Sequence, residues 1–210
     1  MDVKLKICGM KDPANILEVV GLQPDYLGFI FYKPSKRYVD GLLPSFVKDL
    51  PAGIKRTGVF VDEQLVKIAE LATLYGLNVV QLHGSESAAY CRELRELLAD
   101  YGIEIIKAFG IDVSFDFAVL DAYETEVDYF LFDTQTPQHG GSGKTFDWSL
   151  LDGYKLTKPY FLSGGIGPES IDELHKIKDP RLFAIDINSK FEVAPGLKNI
   201  DKLNDFKNRK

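Results

Sequence analysis

Short apolar runs alternate with amphipathic segments from one end of the chain to the other. The apolar runs predict strands at Val3–Cys8, Tyr26–Phe31, Lys55–Val61, Asn78–Leu82, Glu104–Phe109, Val127–Phe132, Tyr160–Leu162 and Arg181–Asp186. The segments between them predict helices at Pro13–Val20, Leu42–Leu50, Glu63–Tyr75, Glu86–Tyr101, Phe115–Tyr123, Trp148–Leu151, Pro168–Ile177 and Ile200–Lys207. Several strands are nearly continuous in apolar residues, as expected where both faces of a sheet are covered. Helix starts are marked as well. Ser85-Glu-Ser87 can cap the fourth helix, and Pro168 after Gly167 suits a first helical position.

Eight strand–helix units in 210 residues predict one domain spanning 1–210. That length lies near the ~200-residue lower end for a closed barrel. An open doubly wound sheet has the same alternation, so the polar punctuation decides between them. Cys8-Gly9, His83-Gly84, Asp133, Ser163-Gly164-Gly165 and Asp186 all fall at or just after strand C-termini. In an open sheet only residues near the strand-order switch converge, whereas in a barrel all strand ends share one rim. The expected fold is therefore α/β, a (β/α)8 TIM barrel of eight parallel strands ringed by helices.

Composition narrows the function rather than the fold. Hydrophobic content of 45% and charged content of 27% are ordinary for a globular chain. A net charge of −6 argues against nucleic acid as the main partner. No apolar run approaches the ~18 residues of a membrane span, and Met1–Cys8 has no signal-peptide apolar region. With only Cys8 and Cys91, no disulfide framework is indicated. These features predict a cytoplasmic protein, monomeric by default, with no membrane or nucleic-acid partner.

The candidate chemistry sits at the strand ends. Alternation along the first strand puts Lys4, Lys6 and Cys8 on one face, expected to look into the barrel mouth. Cys8 beside an ammonium is either a base or nucleophile, or a buried inert thiol, the commoner fate of free cysteine. Cys91, within a helix, reads as inert core. Asp133 closes an apolar strand and is either a general acid or base or a local cap. Two glycine clusters follow, Gly140-Gly141-Ser-Gly143 and Ser163-Gly164-Gly165-Ile-Gly167. The second leads into a helix N-terminus, where free N–H groups favour phosphate. Together with Asn188-Ser189 after the eighth strand, they fall where barrels usually bind phosphate. Arg37, in Ser35-Lys-Arg-Tyr38, can pair bidentately with a carboxylate. His83 is a proton carrier or, as preferred, an oriented polar wall. No His, Cys or Asp spacing suggests a metal.

At this point the chain resembles the phosphoribosylanthranilate isomerase family. The resemblance rests on Lys6-Ile-Cys-Gly-Met10, Gly28-Phe-Ile-Phe31 with Ser35-Lys-Arg-Tyr38, Gly58-Val-Phe-Val61 and Val80-Gln-Leu-His-Gly84. It continues through Asp133-Thr-Gln-Thr-Pro137, Gly140–Trp148, Leu162-Ser-Gly-Gly-Ile166, Ile185–Ser189 with Glu192, and Pro195-Gly-Leu-Lys198. These segments run in family order over essentially the whole chain. Cysteine on strand one with aspartate on strand six is the most specific feature. One departure is Lys190, where a small residue is expected.

The resemblance implies an Amadori rearrangement of N-(5′-phosphoribosyl)anthranilate to 1-(2-carboxyphenylamino)-1-deoxyribulose 5-phosphate, in tryptophan biosynthesis. It implies Asp133 as general acid, Cys8 as base with Lys6 as an influence on it, and Arg37 on the anthranilate carboxylate. Gly141, Gly164, Gly165, Asn188 and Ser189 would hold the phosphate, with Gly140–Gly143 as a flap. Asp186 would contact the sugar or tune the base. The substrate is then a small phosphorylated molecule with an aromatic carboxylate, and neither cofactor nor metal is expected. The rivals are another phosphosugar barrel, such as a histidine-pathway isomerase with aspartate on strand one, and a non-catalytic phospho-ligand-binding subunit. The latter would not need both Cys8 and Asp133.

Overall fold

The computed structural model describes residues 3–134 and 146–210. Eight parallel strands close into a barrel in chain order. They are β1 (Lys4–Ile7), β2 (Tyr26–Ile30), β3 (Lys55–Phe60), β4 (Val79–Leu82), β5 (Glu104–Ile111), β6 (Tyr129–Thr134), β7 (Tyr160–Leu162) and β8 (Leu182–Ile187). A small antiparallel pair, β9 (Glu192–Ala194) and β10 (Leu197–Lys198), follows the barrel.

The near-continuous apolar strands face two cores. Residues of one parity, such as Leu5, Ile7, Phe130, Phe132, Ile185 and Ile187, pack outward under the helices. The other parity fills the barrel interior with Tyr26, Val79, Ile106, Ala108, Leu131, Phe161 and Ala184. Alternation then turns Lys6, Asp133 and Asp186 inward, each next to an outward apolar residue. Asp133 lies within β6, opposite Gly110, rather than just after the strand as the sequence predicts. Cys8 lies one residue beyond β1, yet its N–H still donates to the Ile187 carbonyl at 2.9 Å.

Lys4 does not share the mouth with Lys6. It sits at the N-terminal end of β1, exposed, and pairs with Asp25 at 2.8 Å. Its parity is right, but two residues along a strand move it roughly 7 Å towards the opposite rim.

Helices follow the strands with one systematic difference from the sequence reading. α1 (Pro13–Gly21), α2 (Pro44–Lys48), α3 (Leu65–Tyr75), α4 (Ala88–Leu97) and α6 (Ile200–Arg209) are α-helical, and α5 (Ile171–Leu174) is one short turn. Ser87 caps α4 by accepting from the Tyr90 N–H. The expected helices at Phe115–Tyr123 and Trp148–Leu151 are instead 3₁₀ turns, Phe117–Tyr123 and Trp148–Gly153. Another 3₁₀ turn, Pro168–Ser170, precedes α5. Asp116 and Asp147 accept from the N–H two residues on, which tightens each start. Short connectors between strands are common places for 3₁₀ geometry. No helix among the described residues is long and apolar enough to cross a membrane.

Candidate active site

Cys8, Asp133 and Asp186 converge at the C-terminal rim of the barrel, where the loops leave the strands. Asp133 is 8% exposed and Cys8 is 5% exposed. The β1–β8 register sets Lys6 opposite Asp186, and Lys6 Nζ donates to Asp186 Oδ2 at 2.8 Å inside the barrel. Lys6 is fully buried. Burial works against its charge, but the adjacent Asp186 carboxylate and Cys8 sulfur together outweigh this and hold the ammonium above the ordinary lysine range. Asp186 Oδ1 is buried without a hydrogen-bond partner, so the inner end of the site keeps a free acceptor.

Burial pushes the Cys8 thiol up, while Lys6 and Lys198 draw it the other way. Lys6, the influence on Cys8 that the resemblance implies, is shared between the Cys8 sulfur and the Asp186 carboxylate. Cys91, inside α4, is also fully buried.

Asp133 is fixed on both oxygens. Oδ1 accepts from the Thr134 N–H at 2.7 Å, and Oδ2 lies 3.3 Å from His83 Nε2. Gln81 Nε2 is 2.8 Å from His83 Nδ1. With the amide donating there, the ring proton sits on Nε2, facing Asp133. His83 thus stands between Gln81 and the Asp133 carboxyl, within reach of both. The loop after β7 packs on the same carboxyl. A Cβ at Gly164 would lie 2.9 Å from Asp133 Oδ1 and 2.6 Å from the Thr134 nitrogen. A cleft of about 520 Å³ opens beside Asp133, walled by His83, Phe109 and Tyr123.

Gly164 and Gly165 adopt φ of +90° and +64°, a conformation that favours glycine. Ser189 opens a 3₁₀ turn after β8. Asn188 is not free to the same degree, since its Oδ1 accepts from Lys198 Nζ at 2.7 Å. Gly141 lies outside the described residues, as does the whole Gly140–Gly143 cluster.

Arg37 stands in the loop after β2 and meets a partner that sequence reasoning passed over. Its Nε donates to Glu192 Oε1 and Oε2 at 2.8 and 3.1 Å, and its Nη2 to Oε2 at 2.7 Å. Lys198 Nζ reaches the same carboxylate at 2.8 Å. Burial opposes the charge on Glu192, but Arg37 and Lys198 hold its carboxyl below the usual range. The same burial lowers Lys198, against the pull of Glu192. Arg37 and Asn188 close around Gly9, where a Cβ would lie 2.7 Å from each. Glu192 and Lys198 belong to the motifs that carry the resemblance, but nothing local in the sequence ties them to Arg37.

A family model described as N-(5′-phosphoribosyl)anthranilate isomerase matches residues 5–209. The N-(5′-phosphoribosyl)anthranilate isomerase of Parabacteroides distasonis is 45% identical over 205 residues, covering 96% of this chain and 90% of the relative. The crystal structure of phosphoribosylanthranilate isomerase from Thermus thermophilus superposes with a TM-score of 0.84 at 27% identity, covering 99% of this chain and 98% of that one. Another solved isomerase, in complex with reduced 1-(o-carboxyphenylamino)-1-deoxyribulose 5-phosphate, gives 0.77 at 33% identity over 97% and 96% of the two chains.

Proposed function

This chain belongs to the N-(5′-phosphoribosyl)anthranilate isomerase family, an isomerase family of tryptophan biosynthesis, and we propose that Asp133 is its general acid and Cys8 its general base. The observation that carries this reading is the pair's setting: a carboxyl and a thiol, both nearly buried, on the inner side of one rim.

The substrate is an N-glycoside whose ribose ring must open. Asp133 gives its proton to the ring oxygen, the bond from that oxygen to C1′ breaks, and C1′ becomes a protonated Schiff base. Cys8, as thiolate, then takes the proton from C2′. The C–H electron pair forms the C1′–C2′ double bond, and the Schiff-base π pair returns to nitrogen, giving the enol-amine. Loss of the C2′ hydroxyl proton and protonation at C1′ complete the ketose. No electrons leave the molecule, so no redox cofactor is required. Ring opening also assists the base. It puts a positive charge one atom from C2′, and such a charge favours thiolate over thiol.

The other residues would bind and orient. Arg37 would hold the anthranilate carboxylate, and His83 would keep the Asp133 carboxyl aimed at the ring oxygen. The unpartnered Asp186 Oδ1 would take a sugar hydroxyl. The N–H groups of Gly164, Gly165 and Ser189 would cradle the phosphate, with Asn188 shaping that loop through its bond to Lys198 and Gly141 contributing from the loop after β6.

Purified protein is expected to consume phosphoribosylanthranilate, followed by loss of its fluorescence, without added metal or nucleotide. Asp133→Asn and Cys8→Ser should each lower kcat by about 10² or more with a modest change in KM, since positioned acid–base groups typically contribute 10²–10⁴-fold. Either variant turning over at the wild-type rate would overturn the assignment of roles. An inactive wild type would overturn the reaction.

A further inference from the structure

Arg37 is held in a particular way. Glu192 engages its side edge, Nε and Nη2, which leaves both Nη1 hydrogens and one on Nη2. Those remaining donors form the end-on fork of the guanidinium, a geometry that matches a second carboxylate bidentately. No acceptor among the described residues occupies that fork.

The charges around Arg37 lead to the same place. Glu192 is shared by two cations, Arg37 at 2.7 Å and Lys198 at 2.8 Å, and Lys198's side chain is fully buried. One carboxylate between two cations leaves one positive charge without a partner. A buried cluster of this kind is completed by one further anion. Glu192 is also pinned from behind, because Oε1 accepts from the Gly196 N–H at 3.1 Å. Lys198 continues the chain of contacts to Asn188. A single run of side chains, Arg37–Glu192–Lys198–Asn188, therefore spans from the loop after β2 to the loop after β8.

We propose that Glu192, backed by Lys198, is the positioning residue that makes this site select a carboxylate-bearing aromatic group: it locks the Arg37 fork in place while Lys198 keeps the cluster one charge short of neutral. This inference rests on the reading that Arg37 meets the substrate carboxylate. Glu192 itself touches no reacting atom. Its role is orientation, and orientation can be separated from charge. Glu192→Gln makes the cluster more positive but loosens the fork. Lys198→Met leaves the fork pinned but makes the cluster neutral.

The test is equilibrium binding by calorimetry, with two probes. One is reduced 1-(o-carboxyphenylamino)-1-deoxyribulose 5-phosphate and the other is the same compound lacking the carboxylate. Wild type should prefer the carboxylated probe by about 10–100-fold, the range for hydrogen bonds to charged groups. Glu192→Gln should lose most of that preference while binding of the decarboxylated probe changes less than about 3-fold. Lys198→Met should show an intermediate preference. An undiminished or enhanced preference in Glu192→Gln would mean that charge alone selects the carboxylate, and the proposal would fail. Equal weakening of both probes would show a merely structural role, and the proposal would fail in that case too. Wild-type turnover of phosphoribosylanthranilate with no preference between the probes would sink this inference and leave the isomerase reading standing.

Discussion

Gly28 is a direct handle on the proposed base. It lies in β2, beside the turn that carries Cys8, and a Cβ there would sit 2.7 Å from Cys8 Sγ, 3.0 Å from its Cα and 3.1 Å from its Cβ. Ordinary non-bonded contacts run at roughly 3.5–4.0 Å, so Gly28→Ala forces the thiol side chain away by about 1 Å. A misplacement of that size costs on the order of 10²-fold in rate, equivalent to about 2.7 kcal/mol of transition-state stabilisation. The wedge also overpacks the rim. Such insertions cost about 1–3 kcal/mol, and each kcal/mol lowers Tm by roughly 2–4 °C in a chain of this size. The variant should stay folded at 25 °C, with kcat down about 100-fold and KM changed far less, as followed by substrate fluorescence. The control is the same change made in Cys8→Ala. With the sulfur gone, the shortest contact is removed and no base is left to displace, although Cα and Cβ of residue 8 still lie at 3.0 and 3.1 Å, so the residual rate of the double variant should match Cys8→Ala within about 2-fold. Wild-type kcat in Gly28→Ala would refute the reasoning. So would a hundredfold loss that persists without the sulfur, since the wedge would then be acting elsewhere.

Gly164→Ala should be more damaging, because the residue sits at φ +90° and its Cβ would meet the backbone nitrogen of Thr134 at 2.6 Å; a Tm drop together with a kcat loss through Asp133 is expected, and an unshifted melting curve would contradict it. Away from the site, Asp179 is partly buried, which opposes its charge, but Arg181 holds its carboxyl below the ordinary aspartate range. A carboxyl lowered on folding stabilises the native state above its unfolded value, about 3.9, and loses that contribution as pH falls through the folded value. The Tm difference between wild type and Arg181→Met should therefore be full at pH 7 and shrink below about pH 4. It should not vanish, because Arg181 also donates to the Tyr154 and Leu156 carbonyls. A difference independent of pH would remove Asp179 from the account.

The barrel was legible because two-sided burial writes itself into a strand as an unbroken apolar run. β2, β4 and β7 differ from the expected strands by at most one residue at either end. The later crossovers were less legible, since Phe117–Tyr123 and Trp148–Gly153 are too short for periodicity to separate a 3₁₀ turn from an α-helix. Cys8, Asp133 and Asp186 stood out as polar residues ending apolar strands. Glu192 did not, because its partner Arg37 is 155 positions away and nothing in its own neighbourhood, Phe191-Glu192-Val193-Ala194, points to that partner. The fate of Lys6 was hidden for the same reason. Its carboxylate partner is 180 positions distant, and only the closing register of β1 on β8 brings the two together.

That closing register has a consequence for the order in which the protein becomes active. Every residue that neighbours Cys8 from the β8 side, from Asp186 through Lys198, is made after β1 to β6. A nascent chain can hold β1 to β6 and carry both proposed proton-transfer groups with no Lys6–Asp186 pair and no clamp on Arg37. Contacts at such separation are entropically costly and form late in folding. Catalysis thus comes with the final seam rather than growing in with the core, and recovery of turnover during refolding reads out ring closure, a step that recovery of helical signal need not track.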